Sequence, residues 1–155
     1  MMTANHAKAM SSRVLCQVGL VVKDIEKSAR AYADLFGLDV PAWTLTDPED
    51  TAHTRYLGQP SPARAKLAFL SLGSVSLELI EPVGGPSTWQ EFLTTRGEGV
   101  HHIAFEIEDM AGEVRMLAEK GMPLVQRGDY SGGQYAYIDS AAQLAVILEL
   151  LQNDR

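Results

Sequence analysis

The chain has 155 residues, of which 46% are hydrophobic and 21% are charged, as expected of one soluble globular domain. Its net charge of −7 argues against nucleic acid and against an anionic membrane as partners. A single cysteine, Cys16, excludes an internal disulfide framework and is typical of a reducing, cytoplasmic environment. Residues 1–13 are polar and are expected to form a flexible tail before one domain over residues 14–155.

The first half of the domain, residues 14–81, is predicted to have the order strand, helix, strand, strand, strand. Asp24 is a suitable N-cap for the helix, and Gly37 is a suitable residue to end it. The segment 40–62 is rich in turn residues, but part of it, near 52–57, is expected to supply a strand. The other predicted elements are a strand over residues 14–22, a helix over 25–36, and a hairpin with strands at 66–72 and 74–81.

The second half, residues 100–155, is predicted to repeat that order after a connecting segment, residues 82–99. Proline and glycine interrupt the start of the connection, and Ser87 with Gln90 resembles a capping box that opens a short helix. The glycine-rich residues 128–133 are predicted to form a mobile loop over a site. The remaining predicted elements are strands over residues 100–107, 122–127, 134–139 and 144–151, and a helix over 110–120.

The two halves resemble each other in sequence as well as in predicted order. The segment QVGLVVKDI at residues 17–25 matches HIAFEIEDM at 102–110, position by position. The segment VSLELIE at residues 75–81 likewise matches VILELLQ at 146–152. Two matches in the same order indicate an internal duplication rather than a chance likeness.

Four polar residues occupy equivalent strand positions in the two copies. Gln17 and His102 lie in the first strands, and Glu78 and Glu149 lie in the last strands. Strand alternation turns each of them away from the bulky apolar residues, so two half-barrels with outer helices would bring all four into one cup. Buried carboxylates repel each other without a cation, and oxygen ligands with one imidazole suit an octahedral divalent ion. The absence of thiolate ligands argues against structural zinc.

The other histidines are not predicted to be ligands. His101 has the opposite strand parity to His102, so it is expected to pack on the side of Ile103, away from the cup. His6 and His53 fall in segments without a clear pattern and are expected to be exposed.

Taken together, the chain resembles the vicinal oxygen chelate superfamily, which includes glyoxalase I, methylmalonyl-CoA epimerase, bleomycin-resistance proteins and extradiol dioxygenases. The resemblance implies an α+β fold in which two tandem βαβββ modules form a cup-shaped, eight-stranded, partly open barrel with helices outside. It also places the family's metal ligands on Gln17, Glu78, His102 and Glu149. The segments that carry it are QVGLVVKDIEKSARAYADLFGL, LELIEP, PSTWQEFL, GEGVHHIAFEIEDM and ILELL.

Two branches of the superfamily fit different parts of the sequence. PSTWQEFL followed by GEGVHHIAFEIEDM looks most like methylmalonyl-CoA epimerase. Epimerases usually have histidine at the position of Gln17, however, and the set Gln, Glu, His, Glu is seen in some glyoxalase I enzymes. The resemblance therefore implies either an epimerase or isomerase, or a lyase of the glyoxalase I type.

The implied chemistry is proton abstraction next to a carbonyl, assisted by one divalent ion such as Zn, Ni, Co, Mn or Mg. Glu149 is the expected base, and Glu78 the second acid or base. The implied partners are a small carbonyl substrate, such as a CoA or glutathione adduct, and a second copy of the chain in a homodimer. Candidates to bind a phosphate-bearing carrier at the mouth of the cup are Arg55, Arg64, Lys66, Arg96 and Arg127.

Two further classes compete with this interpretation. A non-haem iron dioxygenase needs two histidines and one carboxylate, and only His102 is available at the ligand positions. A protein that binds and sequesters a small molecule, such as an antibiotic, needs no metal ligands, so the complete set argues against it. The metal content of the purified protein distinguishes these classes.

Overall fold

A computed structural model describes residues 9–155 of the chain. This part of the chain forms one curled mixed sheet with helices packed against it, and the α+β fold expected from the sequence is confirmed. The elements are, in chain order, β1 (Leu15–Val21), α1 (Ile25–Phe36), β2 (Thr44–Leu45), α2 (Glu49–Ala52), β3 (Arg55–Tyr56), β4 (Gln59–Pro60), β5 (Arg64–Leu72), β6 (Val75–Val83), α3 (Thr88–Arg96), β7 (Gly99–Glu106), α4 (Met110–Glu119), β8 (Leu124–Tyr130), β9 (Gly133–Ile138), α5 (Ala141–Leu144) and β10 (Ile147–Asn153).

The two halves of the chain join at the centre of the sheet. The strand order is β2-β5-β6-β1-β7-β10-β9-β8-β3-β4. Each half places its last long strand parallel to its first, as β6 beside β1 and β10 beside β7. The first strands of the halves, β1 and β7, pair antiparallel with each other. The four strands that carry the candidate ligands are therefore adjacent.

The predicted caps set the bounds of the two main helices. The Asp24 carboxylate accepts a hydrogen bond from the Lys27 amide, and Gly37 ends α1 in the left-handed conformation at φ 66°. The Asp109 carboxylate accepts in the same way from the Gly112 amide at the start of α4. Each helix buries an apolar face on the sheet: Ile25 lies in the core cluster of the first half, and Leu117 in that of the second.

The segment 40–62 differs from the prediction. Its strand β3 lies within the predicted range 52–57, but it pairs with β8 of the second half, with Arg55 opposite Arg127. The strand that pairs with β5 is instead β2, at Thr44–Leu45. Positive φ angles at His53 and Leu57 turn the chain toward the other half. Strand β3 thereby pairs with the edge of β8, whose backbone groups would otherwise be exposed and unpaired.

Residues 128–133 do not form the predicted loop, because most of them lie in strands. Gly128 lies inside β8 and Gly133 inside β9, so Ser131 and Gly132 alone form a tight hairpin turn. A Cβ atom on Gly128 would lie 2.7 Å from Cε1 of Tyr135, so this glycine permits close packing of the hairpin.

The predicted tail lies mostly outside the described residues, since residues 1–8, including His6, are not among them. Its remaining part contacts the domain, because the Ser11 amide donates a hydrogen bond to Oε1 of Glu113 on α4. In residues 9–155, no helix is long and apolar enough to cross a membrane.

Candidate metal centre

The structure brings the four predicted ligand residues together on the concave face of the sheet. We refer to Gln17, Glu78, His102 and Glu149 as the four-residue cluster. They project from β1, β6, β7 and β10 respectively, and all four come from one chain. The side-chain oxygens nearest Nε2 of His102 are Oε2 of Glu149 at 2.9 Å, Oε1 of Gln17 at 3.0 Å and Oε2 of Glu78 at 3.2 Å.

A glycine in the neighbouring strand makes room for the central imidazole. Gly19 is paired with His102 across β1 and β7. A Cβ atom at this position would lie 2.0 Å from Cε1 of His102, which no real side chain tolerates. Sequence reasoning missed this role, although Gly19 is a conspicuous small residue within an apolar strand.

The donor set of the four-residue cluster fits a divalent cation. One oxygen from each of Glu78 and Glu149 and one nitrogen of His102 lie within 4.8 Å of one another, and all three residues are buried. With its oxygen toward the cluster, the amide of Gln17 faces only acceptors; exchanging its oxygen and nitrogen lets it donate to Glu149 Oε2 at 2.8 Å and Glu78 Oε2 at 3.1 Å. A cation in the cluster would favour the oxygen-inward orientation, since an amide oxygen and carboxylates are typical ligands for hard divalent ions.

In the metal-free protein, bound protons partly neutralise the negative charge of the cluster. Burial alone would lower the pKa of His102, but the negative charges and hydrogen bonds of Glu149 and Glu78 outweigh burial and raise that pKa to about 10. Burial raises the pKa of Glu78, and repulsion from Glu149 adds to the increase. An imidazolium therefore neutralises part of the carboxylate charge in the metal-free protein.

The predicted position of His101 is wrong. Gly19 pairs with His102 while Leu20 pairs with Val100, so His101 is the extra residue of a β-bulge in β7. The bulge turns its ring to the concave side, where the ring centroid lies 5.0 Å from that of Tyr137. His101 is buried directly behind His102, with 3.0 Å between their Nδ1 atoms.

His101 also contacts a second buried group. Its Nε2 lies 3.2 Å from Oγ1 of Thr88 at the start of α3. Burial lowers the pKa of His101 well below its usual value, and the neighbouring His102 lowers it further, so the ring is neutral. His53, by contrast, is exposed as predicted, with its Nδ1 2.9 Å from Oδ2 of Asp129.

A cavity of about 400 Å³ opens above the four-residue cluster. Its wall is largely aromatic and apolar. Tyr135 and Tyr137 lie two residues apart on the same face of β9, and both line the cavity. The Tyr137 hydroxyl accepts a hydrogen bond from Nε1 of Trp89, which fixes both rings. The aromatic residues were not predicted, although the spacing of the two tyrosines places them on one strand face. The aromatic residues of the wall are Phe69, Trp89, Tyr130, Tyr135 and Tyr137.

The chain belongs to the glyoxalase/bleomycin resistance protein/dioxygenase superfamily, whose family model matches residues 16–138. The curled two-module sheet and the cluster at its centre agree with this membership.

Among its relatives, the chain is 28% identical over 143 residues to the uncharacterized protein YqjC of Bacillus subtilis, covering 89% of this chain and 91% of that protein. It is 28% identical over 116 residues to the ethylmalonyl-CoA/methylmalonyl-CoA epimerase of Cereibacter sphaeroides, covering 74% and 76%. The crystal structure of methylmalonyl-CoA epimerase from Mycobacterium tuberculosis superposes with a TM-score of 0.63 at 21% identity, over 97% of both chains, and this likeness shows a shared fold.

Proposed function

We propose that the protein is a divalent-metal-dependent epimerase or isomerase that abstracts a proton from the carbon next to a carbonyl group. The observation that carries this proposal is the position of two buried carboxylates on either side of one imidazole, at the base of an aromatic cavity. The likeness to proteins named as acyl-CoA epimerases supports the same reaction class.

The four-residue cluster would hold the ion. When bound, a divalent ion supplies Lewis-acid polarisation of the substrate carbonyl. His102 would ligate the ion from the centre of the cluster. Gln17 would supply a neutral ligand that does not accept a proton, so proton transfer is assigned to the carboxylates.

Glu149 and Glu78 are the proposed acid–base pair. They come from β10 and β6, which flank the central strands β1 and β7 on opposite sides. A carboxylate on one side removes the proton, and the carboxyl group on the other returns it.

The aromatic wall supports this chemistry by excluding water. Phe69, Trp89 and Tyr137 line the cavity beside the cluster. A low-dielectric surrounding strengthens the interaction between the negative charge that develops on the substrate oxygen and the ion that would polarise it.

A lyase of the glyoxalase I type is the second candidate, and Gln17 is the observation that favours it. The epimerase branch usually carries histidine at this position, whereas the set formed here by Gln17, Glu78, His102 and Glu149 resembles that of some glyoxalase I enzymes. Both reactions begin with the same proton abstraction, and they differ in whether the product is a stereoisomer or a rearranged hydroxy acid thioester.

The test is solvent deuterium exchange at the α-carbon, followed by proton NMR. Acyl-CoA thioesters and hemithioacetals of 2-oxoaldehydes are incubated with the metal-loaded protein in deuterated buffer. We expect metal-dependent loss of an α-proton signal in one substrate group, and no loss with His102→Ala. A sequestering protein would bind a ligand without exchange, and metal-loaded protein that exchanges no substrate would contradict the proposal.

A further inference from the structure

The wall of the cavity contains no cationic side chain among the residues that the structure describes. Its charged members are all acidic: Glu78 and Glu149 in the cluster, with Asp47 and Asp129 farther out. Its other polar members are neutral, chiefly threonine and tyrosine hydroxyl groups. Nothing on this wall can therefore neutralise an anionic group of a ligand.

Two of the basic residues considered from the sequence, Lys66 and Arg127, are paired with acidic side chains. Lys66 lies on the outer face of β5, paired with Glu81 at 2.9 Å, and its Nζ lies over the Trp43 ring. Arg127 pairs with Asp129 at 2.8 Å. None of the five lines the cavity: Arg55, Arg64, Lys66, Arg96 and Arg127 are all absent from its wall.

The net charge of the metal-loaded cluster also disfavours an anionic ligand. Two ionised glutamates balance one divalent ion, while Gln17 and a neutral His102 add no charge. The loaded centre then has no net positive charge to offer an additional carboxylate. Placing such an anion against this wall costs its hydration, and no cationic side chain of the wall compensates that cost.

We propose that the part of the substrate bound in this cavity is an uncharged, largely apolar carbonyl compound, and that a free carboxylate beside the reacting carbon is selected against. This inference rests on the proposed function, because it identifies the substrate class of the same centre. It concerns only the reacting group, since a phosphate-bearing carrier would lie outside the cavity. Malonyl-type thioesters, which carry a carboxylate on the reacting carbon, are then poor substrates.

A matched pair of small probes tests the charge preference directly. Acetylbenzoyl is a neutral vicinal diketone, and phenylglyoxylate has the same skeleton with a carboxylate in place of the acetyl group. We expect acetylbenzoyl to bind the Zn²⁺-loaded protein about tenfold or more tightly by isothermal titration calorimetry, since one unpaired charge in a partly buried site is worth at least that factor.

Two variants make the test specific to charge. Leu45 lies on the cavity wall and is 40% exposed, so Leu45→Arg adds a cation at the wall with little strain. Leu144 is 47% exposed and lies off this wall, so Leu144→Arg is the matched control. We expect Leu45→Arg to increase the affinity for phenylglyoxylate relative to acetylbenzoyl, and Leu144→Arg to leave the ratio unchanged.

The outcome separates this inference from the proposed function. Binding of phenylglyoxylate to the unmodified protein as tightly as acetylbenzoyl would overturn the inference, as would the absence of binding by either probe. Metal-dependent proton exchange is measured independently of these affinities, so it can persist when the charge preference fails.

Discussion

Nδ1 of His101 lies 3.0 Å from Nδ1 of His102, while Nε2 of His102 faces the two glutamates. The two nitrogens of one imidazole therefore have separate partners. Proton positions follow from this network: His101 donates from Nε2 to Thr88 Oγ1 and accepts at Nδ1 from His102. That arrangement leaves Nε2 of His102 directed toward the cluster, as a metal ligand requires.

His101→Ala is therefore expected to weaken metal binding. Loss of a hydrogen-bond partner behind a ligand histidine typically reduces metal affinity by about 10–100-fold. Strand alternation alone would predict no effect, because it turns His101 away from the cup. Competition with a chromophoric chelator for Zn²⁺ measures the affinity. His101→Gln, which offers an acceptor oxygen, should recover part of it; unchanged affinity in His101→Ala would refute the role.

Metal binding should release about one proton per ion near neutral pH. Burial opposes the charge on His102, but Glu149 and Glu78 raise its pKa to about 10 in the metal-free protein, so the imidazolium must lose a proton to ligate. The apparent association constant should rise about tenfold per pH unit between about pH 7 and 9. Calorimetry in buffers of different ionisation enthalpy counts the protons, and a pH-independent affinity would contradict this assignment.

The same shift predicts how the stability of the metal-free protein depends on pH. The folded-state pKa of His102, about 10, lies above its unfolded value of about 6.5. The stabilisation from His102 is therefore fully present below about pH 6.5 and is lost as the pH rises through about 10. Urea midpoints of the metal-free protein should fall over this range, and His102→Gln should show a smaller decrease.

Glu149→Gln should separate metal binding from proton transfer. The amide can still ligate through its oxygen but cannot accept a proton, so metal is largely kept while turnover falls about 10²–10⁴-fold. Glu78→Gln is the matched variant on the opposite side of the cluster. His102→Ala should lose metal and activity together. Equal turnover of Glu149→Gln and the unmodified protein would exclude Glu149 as the base.

The sequence predicted the centre of the fold because the duplicated segments carry both the apolar alternation and the polar ligand positions. It did not predict His101, since a β-bulge depends on how β7 pairs with β1, and the alternation of one strand does not encode that pairing. The prediction for residues 40–62 was incorrect for a related reason, because strand β3 pairs with a strand in the other half of the chain. A local sequence pattern identifies a strand, but it does not identify the distant sheet edge with which that strand pairs.

The homodimer expected from the family resemblance remains a prediction. Light scattering at micromolar concentration should give twice the mass of the chain, and a monomer would contradict it. All four members of the cluster come from one chain. The metal affinity per chain should therefore stay constant on dilution through dissociation.

Gly19→Ala should displace His102 and weaken metal binding. The new Cβ would lie 2.0 Å from Cε1 of the imidazole, so the ring must leave its position over β1. Overpacking of this kind typically costs about 1–3 kcal/mol of stability. A double-mutant cycle with His102→Ala isolates the contact, because the clash disappears when the ring is absent. We expect Gly19→Ala to destabilise the unmodified background clearly and the His102→Ala background only slightly, by chemical denaturation. Equal losses in both backgrounds would show that Gly19 is needed for β1 itself rather than for the imidazole.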